Sequence, residues 1–322
     1  MKISRLRSYV QFFSFFILIY GGYIGLKLGH FLPCFSCPYV SSCSGHCYLM
    51  AFQSPFLGLE LNIRHFMSIW GLRVLKMFFG FLVLTLILSK AWCGWICPFG
   101  TLQDWIIYLR KKLAIRESQF SWKFRDSLKP IKYILLILLI VLPLLIGNGF
   151  LHKDFTLPFC QICPAKPLMP LFEGNISNIA VDITNPITMI MTMTSVVLAA
   201  SFFVGLFFKD RLFCIFCPTL ALISLFQKIG LLQLKKNVNS CRGCGNCQRI
   251  CPVDIRQVHL EREKENVLNQ DCMLCLQCIE SCPHDKTLAI KLLHKNLFSS
   301  SQKYFTKHYV KVNKGHENTI IE

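Results

Sequence analysis

Two runs of four cysteines toward the C-terminal end carry chemistry. Cys241, Cys244, Cys247 and Cys251 are spaced CxxCxxCxxxC and followed by Pro252; Cys272, Cys275, Cys278 and Cys282 repeat the spacing and are followed by Pro283. In this spacing three thiolates bind one iron–sulfur cube and the fourth reaches across to another. The expected ligand sets are Cys241, Cys244, Cys247 and Cys282 for one [4Fe-4S] cluster, and Cys272, Cys275, Cys278 and Cys251 for a second. Structural zinc usually asks for four ligands in two CxxC pairs, and eight cysteines in two complete copies exceed that. Disulfides would not persist in a reducing cytoplasm, where the charge pattern below places this segment. The implied chemistry is electron transfer.

Four more cysteine pairs reveal an internal duplication. Leu32 to Pro38 reads LPCFSCP and Leu157 to Pro164 reads LPFCQICP, which sets Cys34 and Cys37 against Cys160 and Cys163; Trp92 to Pro98 reads WCGWICP and Phe213 to Pro218 reads FCIFCP, which sets Cys93 and Cys97 against Cys214 and Cys217. Each half has the order span, CxxCP, span, second cysteine pair with proline, as in a parallel repeat about an axis along the membrane normal. If the halves pack together, Cys93, Cys97, Cys214 and Cys217 gather at the inner face and Cys34, Cys37, Cys160 and Cys163 at the outer face. Four thiolates suit one further cluster at either place. The competing readings are packing thiols or zinc inside and disulfides outside. Cys43 and Cys47 are left over as a disulfide or accessory metal site, and CSGHC is not the CxxCH of covalent haem attachment. His30, His65 and His152 fall near outer ends of spans and read as solvated polar residues or as haem or quinol contacts.

The elements that must position these thiols are membrane helices. Hydrophobic residues make up 53% of the chain and charged residues 16%, with mean hydropathy +0.46, outside the soluble globular range. Four apolar stretches, about 9–29, 72–92, 131–150 and 187–208, approach the ~20 residues needed to cross ~30 Å of hydrocarbon. The first follows Lys2, Arg5 and Arg7 but is too long for a signal peptide, so it reads as an anchor. Net charge +18 is distributed by topology rather than as a nucleic-acid footprint, and no nucleic-acid partner is expected. Nine Lys and Arg lie in 90–132 and seventeen follow Phe208, whereas 30–71 and 151–186 hold only Arg64, Lys153 and Lys166. By the positive-inside rule both termini and the 90–132 loop face the cytoplasm.

Between the landmarks, 99–113 places Phe99, Leu102, Trp105, Ile106, Leu109 and Leu113 on one stripe, with Gln103, Asp104, Arg110 and Lys111 elsewhere, which reads as an interfacial helix. Residues 219–232 read the same way. The stretch from 296 to 322 is polar and basic and reads as a mobile tail. The fold class expected is an all-α integral membrane protein of four transmembrane helices, internally duplicated, with a C-terminal α+β ferredoxin-like domain holding two [4Fe-4S] clusters. The boundaries are 1–125 and 126–235 for the half-repeats and 236–295 for the ferredoxin domain.

The runs WCGWICPFGTLQ at 92–103 and FCIFCP at 213–218, with the tandem cysteine motif, resemble those of the NapH-type membrane polyferredoxins, and are similar to the C-terminal membrane part of NosR and to CcoG. The resemblance covers roughly 66–290. It implies an electron carrier of the bacterial inner membrane, linking the quinone pool or a cytoplasmic donor to a periplasmic or membrane redox partner, in contact with lipid and without independent catalysis. Cys34, Cys37, Cys43, Cys47, Cys160 and Cys163 depart from the NapH pattern. A maturation factor reducing metal or thiols, or a non-redox anchor, are the alternatives.

Overall fold

The computed structural model describes residues 3–26, 37, 39–40, 47, 50, 53, 69–115, 122–152, 155, 158–177, 185–293, 295–311 and 319–320. The chain divides into two compact units: Met1–Val10, Thr85–Trp95 and Phe226–Glu322 form the first, Gln11–Leu84 and Ile96–Leu225 the second. This differs from the consecutive blocks expected from sequence. The ferredoxin segment incorporates the 85–95 turn through backbone bonds such as Leu231 N to Leu86 O, 2.8 Å. It also takes in the chain start, where Ser4 N donates to Glu280 Oε2 at 3.2 Å.

Each expected span coincides with a helix: α1 (Ile3–Tyr20), α2 (Ile69–Leu88), α6 (Ile131–Gly147) and α9 (Pro186–Leu206). Among the described residues, two helices are long and apolar enough to cross a membrane, Asp126–Gly147 and Pro186–Leu206, and Phe78–Leu88 is a shorter apolar stretch. Helix α1 starts six residues before the expected span and carries Arg5, Arg7 and Gln11. It ends at Tyr20, where Gly21 and Gly22 pass into a 3₁₀ turn closed by Gly25 at φ 73°.

The duplication is visible in the order of elements. After α2 come α3 (Ala91–Trp95) and α4 (Pro98–Lys112); after α9 come α10 (Leu212–Phe216) and α11 (Pro218–Phe226). The Cys-Pro pairs cause these breaks. Proline drives the preceding residue out of the helical region while itself favouring a first helical turn. Cys97 accordingly has φ −57°, ψ 118° and Cys217 has φ −67°, ψ 115°. Both halves therefore present their second cysteine at the same kind of helix start.

Two helical expectations need correction. On α4, Gln103 and Arg110 are buried while Leu109 and Leu113 are exposed, so the apolar stripe does not set its orientation. A buried ion pair does: Arg110 Nη2 lies 2.5 Å from Asp210 Oδ1. The helix read over 219–232 ends at Phe226, and after a 3₁₀ turn (Gln227–Ile229) and Gly230 the chain enters a strand.

That strand, β1 (Leu232–Lys236), opens an antiparallel sheet of order β1-β2-β3 with β2 (Leu288–Leu292) and β3 (Lys295–Ser299). Leu234 faces Ile290 and Lys236 faces Leu288 across the ladder. The polar stretch from 296, expected to be a tail, supplies most of β3 and then helix Gln302–Tyr309, whose Phe305 is buried. Ser300 fixes it: its Oγ accepts from Thr287 N at 3.0 Å and donates to His284 O at 2.7 Å.

Candidate functional site

In the first unit the loops between β1 and β2 close around two cavities. One is lined by Cys241, Cys244, Cys247 and Cys282; the other by Cys251, Cys272, Cys275 and Cys278, with Cys247 between the two. The structure thus brings together both crossed sets that the spacing requires. The loops follow one backbone path. Gly243 and Gly245 have φ 72° and 77°, and the corresponding Leu274 and Leu276, 31 positions on, have φ 52° and 62°. Glycine accepts this left-handed geometry freely, whereas leucine pays ~1–2 kcal/mol per residue.

The two cavities are covered differently. Cys244 is exposed, and Cys272, Cys275 and Cys282 are buried. Beside the first cavity lies Lys236, 2% exposed, whose Nζ donates to Val258 O (2.9 Å), His259 O (3.1 Å) and Glu261 O (2.6 Å). Its three donors are thereby satisfied, and its positive charge favours the thiolate of Cys247. Against the second loop sits α3. Trp95 Nε1 donates to Leu274 O at 2.9 Å, Arg7 Nε donates to Gly94 O at 2.9 Å, and Lys90 Nζ donates to Gln270 O. A Cβ on Gly94 would stand 2.3 Å from Met273 O, so only glycine permits this approach.

Burial holds these thiols neutral until a metal takes their protons: it pushes Cys272 and Cys251 up to about 12 and Cys247 to about 11. Among the described residues no three His, Cys, Asp or Glu side chains converge tightly enough for a single metal ion, in these cradles or elsewhere. A mononuclear zinc site would draw its sulfurs to within ~3.8 Å of one another, whereas a cubane spreads one thiolate to each iron. The donor set and its spacing therefore fit an iron–sulfur cluster.

In the second unit Cys97, Cys214 and Cys217 share one electrostatic environment. Cys93, the remaining member of the expected inner set, belongs to the first unit. Burial raises all three thiols, Cys97 to about 11 and Cys217 to about 12. Next to Cys214 lies Arg211, fully buried, whose Nε donates to Asp104 Oδ1 at 2.7 Å and whose guanidinium also hydrogen-bonds to Cys214. A buried cation hydrogen-bonded to a thiol favours its anionic form. Lys90, also fully buried, stands three residues before Cys93 as Arg211 stands before Cys214. Sequence reasoning missed both, although the 121-residue offset of the repeat pairs them.

The outer set also differs from expectation. Cys37, Cys160 and Cys163 come together, and with them Cys47, which was set apart from sequence; Cys34 and Cys43 lie outside the described residues, as do His30 and His65, while His152 is exposed.

The family model described as a 4Fe-4S binding domain matches residues 70–116 and again 190–239, and the one described as a 4Fe-4S dicluster domain matches 233–283. The uncharacterized protein MJ0750 of Methanocaldococcus jannaschii is 31% identical over 206 residues, 63% of this chain and 73% of that protein. The ferredoxin-type protein NapH of Haemophilus influenzae is 22% identical over 242 residues, 71% of this chain and 72% of NapH. The chain belongs to the NapH/NosR-like 4Fe-4S membrane proteins. Another relative of this NapH/NosR-like chain is YccM of Escherichia coli, named as a candidate electron transport protein, at 29% identity over 213 residues. That match takes in 66% of this chain and spans about half the length of YccM, 54%. No solved structure matches the chain. As in other NapH/NosR-like proteins, iron–sulfur binding is the chemistry of these cradles.

Proposed function

We propose that this chain is an electron carrier of the bacterial inner membrane, with both termini in the cytoplasm, passing electrons between a quinol or cytoplasmic donor and a periplasmic or membrane redox partner. Two [4Fe-4S] clusters, one on Cys241, Cys244, Cys247 and Cys282 and one on Cys272, Cys275, Cys278 and Cys251, supply reversible one-electron chemistry when bound. The observation that carries the reading is the unequal cover of the two four-thiol cavities. The first loop presents Cys244 to solvent, where a soluble partner can approach. The second is buried, and its Leu274 carbonyl is held by Trp95, two residues before Cys97 in the chain. Lys90 and Lys236 place positive charge beside the thiolates of Cys272 and Cys247 and so favour their charged form. Cys97, Cys214 and Cys217, with Arg211 beside them, supply donors for one further cluster.

Anaerobic purification with iron and sulfide counts, followed by reduction with a quinol and with a low-potential donor, tests this reading. Replacing Cys244 or Cys275 with Ala should each remove or convert one cluster, costing up to about four irons per chain, while membrane insertion persists. Spectra of either variant that match the parent would defeat the two-cluster assignment. Reporter fusions after Gly29 and Asp182 should read outside and those after Lys112 and Lys236 cytoplasmic; an opposite reading at any one overturns the topology.

A further inference from the structure

The second unit contains a thiol site that the sequence repeat announces only in part. The segment of Cys37 and Cys47 meets the helices Pro158–Ile162 and Ala165–Leu168, more than a hundred residues later. Gln53 clamps one side: its Nε2 donates to Cys160 Sγ at 3.4 Å and its Oε1 accepts from Phe159 N at 3.2 Å. Cys37 clamps the other, its Sγ lying 3.7 Å from Ala165 O. Lys166 Nζ rests 5.5 Å from the centre of the Tyr39 ring, and Ser195 Oγ donates to Cys163 O at 3.0 Å. Within this frame Cys37 interacts electrostatically with Cys163, Cys47 and Cys160, and Cys160 and Cys163 each with Cys47.

We infer that Cys37, Cys47, Cys160 and Cys163 bind an iron–sulfur cluster, with Cys47 as the fourth ligand. Three arguments carry it. The four thiols come from two chain segments that Gln53 and Cys37 lock together, so the site exists only in the folded chain. Cys47 acts electrostatically on each of Cys37, Cys160 and Cys163, so the four sulfurs occupy one locality. The backbone N–H groups of Ala165 and Lys166 hydrogen-bond to Cys163, donors of the kind a bound thiolate accepts. The position is also suited to electron transfer. Cys37 and Cys97 pack against the same buried cluster of Phe15, Ile19, Val40, Phe99 and Met169. One apolar cluster therefore reaches from this site to the inner thiols, in place of the ~30 Å of hydrocarbon that a surface-to-surface arrangement would interpose.

The test uses the full chain, purified anaerobically, with iron, sulfide and zinc counts and low-temperature electron paramagnetic resonance. Cys47→Ser should lower iron by up to about four per chain and remove one signal, as should Cys37→Ser, Cys160→Ser and Cys163→Ser, while Cys34→Ser matches the parent. Cys37→Ser combined with Cys160→Ser should lose no more than either alone. The ferredoxin signals, abolished separately by Cys244→Ala or Cys275→Ala, keep this inference distinguishable from the electron-carrier reading, and a parent-like thermal unfolding of the helical unit reports that each variant is folded. Loss of iron in Cys34→Ser but not Cys47→Ser, unchanged iron in all four, stoichiometric zinc in the parent, or a Cys37–Cys47 disulfide by mass spectrometry would each overturn it.

Discussion

The thiols of the ferredoxin unit and those of the apolar unit are the same donors held in opposite ways. In the first unit a ligand set is almost local: three cysteines within seven residues, on a loop whose left-handed residues Gly243 and Gly245, or Leu274 and Leu276, dictate the path. In the second unit Cys97 meets Cys214 and Cys217, and Cys47 meets Cys160 and Cys163, across more than a hundred residues. There the frame is made of buried polar contacts, Arg110 with Asp210, Arg211 with Asp104, and Gln53 with Cys160. A local loop brings its donors together by backbone geometry; a distributed site depends on every long-range contact that closes it.

The largest expected effect follows from that dependence. Arg211→Met leaves the Asp104 carboxylate without its buried guanidinium, a loss of ~3–5 kcal/mol. Gln11 Nε2, 2.7 Å from Asp104 Oδ2, retains only a neutral bond to it. The variant should lose thermal stability in the helical unit while the ferredoxin resonance signals persist; their joint loss would mean that the two regions do not differ in the way described.

Gly94→Ala comes next. Its Cβ meets a backbone oxygen at 2.3 Å, and the strand of chain at Met273 must move, at a cost of ~1–3 kcal/mol. The cluster proposed on Cys272, Cys275, Cys278 and Cys251 should change its reduction potential in a redox titration, and that on Cys241, Cys244, Cys247 and Cys282 should not. Equal shifts in both would remove the distinction between a covered loop and an exposed one.

The smallest effect is expected at Leu276→Gly. Relief of left-handed strain opposes the added freedom of glycine in the unfolded chain, so the net change should stay within ~1 kcal/mol. Heating the variant while following cluster absorbance should give a transition close to the parent. A large loss would mean that the Leu276 side chain, not the backbone path it shares with Gly245, holds the second loop.

The sequence alone determined whatever depends on neighbours along the chain. CxxCxxC spacing anticipated which cysteines line each of the two cavities, because a cube would fix how far apart adjacent donors can be. Cys-Pro pairs prescribed helix breaks at Cys97 and Cys217 because proline's ring acts on the residue before it. Hydrophobic runs located four helices, of which two among the described residues, Asp126–Gly147 and Pro186–Leu206, are long and apolar enough to cross a membrane. Tertiary structure decided the rest. The face that α4 presents was misread because periodicity cannot anticipate Arg110 pairing with Asp210, a hundred residues away. The stretch from 296 gave no apolar period, yet β2 offered it an open edge and Ser300 a set of unpaired backbone groups. Cys47 has no counterpart in the repeat, so nothing in its spacing sets it beside Cys160 and Cys163; proximity across a hundred residues is a property of how the segments pack.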